Sequence, residues 1–339
     1  MYYAMLQEAL YYKKLQNQSV QCTLCPHDCI INNGKSGICK VRKNKDGILY
    51  SLNYEELSAV HIDPIEKKPL YHFYPGKNIL SLGSLGCNLK CNYCQNSHIS
   101  QFNPEKKYSV KNLNSEIIIK EAERTRNNIG IAYTYNEPIV WYEYMLETAR
   151  KAKKHHLKNV VVSNGFINPE PLKELLPYID AFNIDLKAFT EDFYNEQTKS
   201  SLQPVLNTVK TIAASETHIE ITNLIIPDLN DDSNTFKKMI KELVKINGRN
   251  TILHLSRYFP AYKSEISVTP KDTLLNLYNY AKKHLNFVYL GNIKSETGNN
   301  TYCPNCGGLL ITRTTAFTRI SGLFENRCIN CNHKIPVEF

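Results

Sequence analysis

The sequence predicts an α/β chain whose core is a partial (β/α)6 TIM-like barrel, with a small cysteine module at each end. Three observations predict it. Strand-like apolar runs alternate with helical patterns from Asn78 to about Ser295. Eleven cysteines fall along the chain in groups of four, three and four. At 339 residues and 42% apolar content, the chain supplies one large core plus appendages and is too hydrophobic for disorder. The expected divisions are a module and linker over 1–77, the core over 78–295 and a terminal module over 296–339.

Taken in order, residues Ala4 to Leu15 carry apolar Met5, Leu6, Ala9 and Leu10 and predict a short helix. Cys22, Cys25, Cys29 and Cys39 follow at C-x2-C-x3-C-x9-C spacing, a set able to close a four-thiolate site. Structural zinc is the first expectation there and an auxiliary iron–sulfur cluster the second; His27 is a bystander. Asp46-Gly47 marks a hairpin. The stretch Asp63 to Gly76 carries three prolines, which argues against a helix. With His61 and His72, it is expected to form a loop packed over the barrel mouth, the alternative being that the two histidines line the site.

The core strands are expected at 79–83, 130–135, 159–164, 181–186, 219–226 and 252–257. Helices are expected near 116–126, 138–156, 169–176, 203–215, 234–246 and 270–284. Alternating units of this kind form a parallel sheet with right-handed crossovers. Ligand groups then gather at the strand C-termini. In the tail, Cys303, Cys306, Cys328 and Cys331 form two C-x2-C knuckles with 21 residues between them, the pattern of a zinc ribbon.

No apolar run approaches the roughly 18 residues of a membrane helix, and Met1 to Glu8 lacks the basic and apolar regions of a secretory signal. The expected location is the cytoplasm, where cysteines at these spacings bind metals rather than forming disulfides. A net charge of +9 is moderate. Its densest run, Lys151 to Lys158, closes a helix, where cations offset the macrodipole.

Between the two closed cysteine sets lies an open one, Cys87, Cys91 and Cys94, directly after the first core strand. Three ligands leave a coordination position free, the mark of a reactive site. The segment Gly86-Cys87-Asn88-Leu89-Lys90-Cys91-Asn92-Tyr93-Cys94, with Tyr93 as the aromatic before the last cysteine, resembles the cluster loop of the radical S-adenosylmethionine (SAM) superfamily. Other strand ends carry groups suited to such a ligand. Tyr135-Asn136-Glu137-Pro138 stands where activating enzymes of that superfamily have Gly-Gly-Glu-Pro. Asn136 and Glu137 suit an amino acid's ammonium; Asn136 as an N-cap before a Pro-started helix is the alternative. Ser163-Asn164-Gly165 resembles the family's Thr-Asn-Gly, with Val162 where the family has Asp. Asp185 and Lys187, two apart on one strand face, match its Asp-x-Lys; a structural ion pair is the alternative. His254 shares a face with Ser256 and is a candidate for adenine or substrate contact.

The motif order, with Cys22-Thr23-Leu24-Cys25-Pro26 and the Asp63-Pro64-Ile65-Glu66-Lys67-Lys68-Pro69-Leu70 linker, is similar to the radical SAM member of the AmmeMemoRadiSam gene set, related to the pyruvate-formate-lyase activating enzymes. The resemblance implies a [4Fe-4S] cluster on Cys87, Cys91 and Cys94. SAM would chelate the open iron with Tyr93, Asn136, Glu137, Ser163, Asp185, Lys187 and His254 around it. Reductive cleavage would give methionine and a 5′-deoxyadenosyl radical that abstracts hydrogen. A ferredoxin- or flavodoxin-like donor and a protein partner are implied. RNA modification, with the ribbon and basic faces as binding module, is the alternative, and a non-enzymatic metal scaffold is disfavoured by the open site.

Overall fold

The computed structural model describes residues 7–294 and 297–339. Its centre is an eight-stranded sheet whose strands follow one another in chain order from edge to edge. They are β1 (Ala59–Pro64), β2 (Asn78–Gly83), β3 (Asn128–Tyr133), β4 (Lys158–Ser163), β5 (Ala181–Asp185), β6 (His218–Ile225), β7 (Ile252–Arg257) and β8 (Phe287–Gly291). The β1 strand runs antiparallel to β2; every other neighbouring pair is parallel. The helices between them are α1 (Ser115–Arg124), α2 (Tyr142–Lys154), α3 (Pro169–Leu175), α4 (Leu202–Ala213), α5 (Ser233–Asn247) and α6 (Lys271–His284). Sequential order with right-handed crossovers sends every helix to the same face.

That face holds the larger core. Leu80, Leu82, Ile131, Val161, Phe182, Ile184, Ile221, Leu253 and Leu255 meet helix residues such as Ile118, Met145, Val205, Ile240 and Leu277. The other face is covered by the chain itself. Ile65, Leu70 and Phe73 pack on Ile79, Ala132, Val160 and Ala181. Beside them, Cys303, Leu310, Ile311, Ile335 and Val337 of the C-terminal module pack on Ile252, Phe287 and Tyr289. The linker is thus a plug under the sheet, anchored by polar groups. Pro69 O accepts from Asn183 at 2.8 Å, and Glu220 accepts from the backbone N–H groups of Tyr71 and His72 at 2.9 and 2.7 Å.

Several expectations need correction. Gln7–Glu8 and Tyr12–Lys14 are strands, paired with Ile48–Ser51 and Val20–Cys22, where a helix over Ala4–Leu15 was expected. Tyr11 at φ 56° breaks the segment, and cross-strand partners supply the hydrogen bonds a helix would have made. Ala4 to Leu6 lie outside the described residues, as does the 295/296 boundary. The β8 strand adds a seventh parallel strand to the six expected, and the linker region contributes the edge strand β1. His72 is buried under the sheet, its imidazole held neutral with a pKa lowered to about 3 by burial. Among the described residues no helix is long and apolar enough to cross a membrane.

Candidate active site and cysteine centres

A cavity of about 340 Å³ opens at the C-terminal ends of β2 to β7, within the usual size of small-molecule sites. Cys87, Cys91 and Cys94 line it, together with Tyr93, Asn136, Glu137, Ser163, Asp185 and Lys187. Six of the seven expected SAM contacts therefore share one cavity with the open cysteine set. His254 does not. It lies two residues deeper than the cavity-lining Ser256, where Tyr71 of the plug covers it at 4.8 Å between rings, and its Nε2 bonds Glu220. It is a core histidine.

The loop that carries the three cysteines is fixed by amides. Asn136 donates to Gly86 O at 2.8 Å and accepts from Ser84 N at 3.0 Å, so its side chain clamps the loop and is unavailable to a ligand's ammonium. Asn88 donates to Phe166 O at 2.8 Å and accepts from Asn164 at 2.9 Å. Asn96 donates to Tyr135 O at 2.6 Å. Asn88 and Asn164 escaped the sequence argument; the signal was their position beside Cys87 and Ser163 within the motifs. Gly86, at φ +87°, touches the N-terminal module so closely that an added Cβ would stand 2.8 Å from Cys39 O.

Glu137 also differs from expectation. Its Oε1 accepts from Ser163 Oγ at 2.8 Å and from Ile139 N at 3.1 Å, capping the helical turn Pro138–Trp141, while Oε2 accepts from Asn164 N at 2.8 Å. It braces β3 to β4. Burial raises its pKa to about 7, against the pull of those three donors. Asp185 and Lys187 form an ion pair of 2.6 Å on the cavity wall. Lys187 is held charged, its pKa raised by Asp185 and the Cys91 thiol in spite of desolvation.

At the rim, Asp63 binds Lys68 at 2.8 Å and accepts from Tyr135 Oη at 2.6 Å, with Lys67 3.6 Å away. Lys67, Lys68 and Tyr135 also line the cavity, a role that no local motif marks. His61 lies edge-on to Tyr135 at 6.0 Å.

Burial raises the Cys87 thiol well above its ordinary pKa and Cys91 to about 11. Such thiols ionise when a metal takes the proton's place. Tyr93 is buried among them and its hydroxyl has no hydrogen-bond partner in the chain.

Two further cysteine sets stand apart. Cys303 and Cys331 lie 3.6 Å apart between sulfurs, as do Cys306 and Cys328, and all four fall within 4.8 Å of one another. Ligands about 2.3 Å from a tetrahedral ion are separated by about 3.8 Å, so this set is compatible with a metal. Cys22, Cys25, Cys29 and Cys39 surround a second, apolar cavity with Leu24, Ile31 and Val140.

An open three-thiolate loop at the C-terminal end of a parallel sheet, over a cavity with acid and base, defines a class. The chain matches the Radical SAM superfamily over residues 82–243. It is 42% identical over 98% of its length to an uncharacterised protein of Methanocaldococcus jannaschii, covering 99% of that protein. It is 23% identical to pyruvate formate-lyase 1-activating enzyme of Escherichia coli over 45% of this chain and 63% of that one. Among solved structures, SuiB of Streptococcus suis bound to S-adenosylmethionine shares the fold, with TM-score 0.50, 13% identity, and 63% of this chain and 52% of that one covered. The chain belongs to the radical SAM superfamily. Membership implies a [4Fe-4S] cluster and SAM. The residues present fit that pair: three thiols at one cavity, an orphaned tyrosine hydroxyl beside them and a charged pair opposite.

Proposed function

We propose that the chain is a radical SAM enzyme that modifies or activates a protein. The observation that carries this is the single cavity shared by Cys87, Cys91, Cys94, Asp185 and Lys187. Cys87, Cys91 and Cys94 would hold the cluster, which, once reduced by a donor, would supply the one electron that splits SAM to methionine and a 5′-deoxyadenosyl radical. Asp185 and Lys187 present opposite charges to a zwitterionic ligand, and Tyr93 lines the same pocket. Glu137, Ser163 and Asn136 fix the strand ends and the loop rather than touching SAM. The plug of residues 65–76 seals the far side of the sheet and excludes water there. Its presence, with sequential strand order, supports curvature into a partial barrel around it. The C-terminal four-cysteine set acts as a structural zinc ribbon, and the module, core and ribbon divide near residues 77 and 295.

The protein target rests on relatives named as activating enzymes, of pyruvate formate-lyase and of 4-hydroxyphenylacetate decarboxylase. A low-potential ferredoxin- or flavodoxin-like donor would supply the electron. A second reading, RNA as target, is favoured by exposed Phe317 and Phe324 on the ribbon near Arg319 and Arg327, since bases stack on aromatics beside cations. Deuterium transfer separates the two. Anaerobic enzyme, SAM and dithionite are incubated with protein and RNA fractions from deuterium-grown cells. Label is expected in 5′-deoxyadenosine from the protein fraction; label from RNA alone would reverse the assignment.

A further inference from the structure

The N-terminal cysteines do not have the geometry of the ribbon. Among the described residues, the ribbon set is the one group of potential ligands drawn within 4.8 Å of one another. Cys22, Cys25, Cys29 and Cys39 instead stand around an apolar pocket walled by Leu24, Ile31, Ile38, Ile139 and Val140. One tetrahedral zinc ion draws its thiolates to about 3.8 Å. A cubane spreads them wider, because each thiolate binds a different iron. The catalytic trio also falls outside the 4.8 Å bound, consistent with its own cluster.

Arg42 is an independent pointer. It is 2% exposed and lines the same space. Its Nη1 binds Glu143 at 3.0 Å and its Nη2 bonds Leu10 O, but its Nε–H has no partner. A buried cation with a spare donor beside thiolates is suited to a cluster sulfur, and such hydrogen bonds tune a cluster's potential.

We propose that Cys22, Cys25, Cys29 and Cys39 hold a second [4Fe-4S] cluster, with Arg42 donating to its sulfur, rather than the zinc that the spacing first suggested. The pocket adjoins the catalytic loop. Asn88 lines it, His27 Nε2 lies 2.7 Å from Asn88 O, and Gly86 rests on the Cys39 carbonyl. An electron from a ferredoxin- or flavodoxin-class donor can therefore pass from one cluster to the other, one being oxidised as the other is reduced, with no bond made or broken.

The test uses the full chain with Cys87, Cys91 and Cys94 all replaced by Ala, reconstituted anaerobically with iron and sulfide. About four irons per chain and a [4Fe-4S] Mössbauer signature are expected, against about eight in the unaltered chain. Zinc at the N-terminal site and no iron in the triple variant would overturn the proposal while leaving the catalytic reading intact. Retention of all the unaltered chain's iron would instead defeat the catalytic reading. In the same background, Arg42→Lys keeps the charge and removes Nε, and the midpoint potential is expected to fall. An unchanged potential would remove Arg42 from the assignment.

Discussion

At the residue scale the site depends on a few small, buried contacts. Gly86 meets two demands at once: positive φ and contact with the Cys39 carbonyl. Gly86→Ala should cost roughly 1–3 kcal/mol from backbone strain, and more from the clash. Reconstituted protein should hold less iron than the unaltered chain, which iron analysis with a urea titration checks. Asn136→Ala removes the two hydrogen bonds that Asn136 gives the loop and deprives Gly86 O and Ser84 N of that partner, a loss of about 1–3 kcal/mol. If Asn136 bound SAM instead, the variant would keep its stability and lose only affinity for SAM. The cysteine trio was legible in the sequence because metal spacing is local. The amide clamps were not, since Asn88, Asn136 and Asn164 acquire their roles only when β3 and β4 are brought beside the loop.

At the element scale the plug carries the most information. Glu220 on β6 accepts from His218 at 2.9 Å and also bonds His254, while its backbone partners belong to the linker. His218 is largely covered, yet its pKa is raised to about 9, because Glu220 and Glu338 hold its proton against desolvation. A raised histidine contributes stability fully below its unfolded value of about 6.5, and that contribution is lost as pH rises through about 9. The loss is on the order of 3 kcal/mol. Urea midpoints should therefore fall between pH 6.5 and 9, and His218→Gln should flatten the fall. A slope unchanged in the variant would place the titration elsewhere. The six parallel strands and their helices were legible from period and length. The β1 and β8 strands were not. One is a polar, half-exposed edge ending in Pro64, and the other is five residues long beside the ribbon. The N-terminal strands were hidden because their partners lie 6 to 44 residues away.

At the scale of the molecule, the ribbon is tied to the core. Arg313 donates to Tyr71 O and Thr301, and the backbone of Glu338 bonds His72 O and Tyr74 N. A metal held by its four cysteines would therefore stabilise the plug. Cys328→Ser is expected to lose one metal per chain and expose residues 65–76 to protease. An independent appendage would leave that segment protected. The four-three-four cysteine pattern was legible as three groups along the chain; that the first group would touch the loop of the second was not.

The most direct measurement is SAM cleavage by anaerobically reconstituted, dithionite-reduced protein, followed as 5′-deoxyadenosine. The unaltered chain should form it, and Cys91→Ala should form none while the C-terminal metal stays bound. No product from the unaltered, iron-loaded chain, or equal product from Cys91→Ala, would contradict the assignment of the cavity.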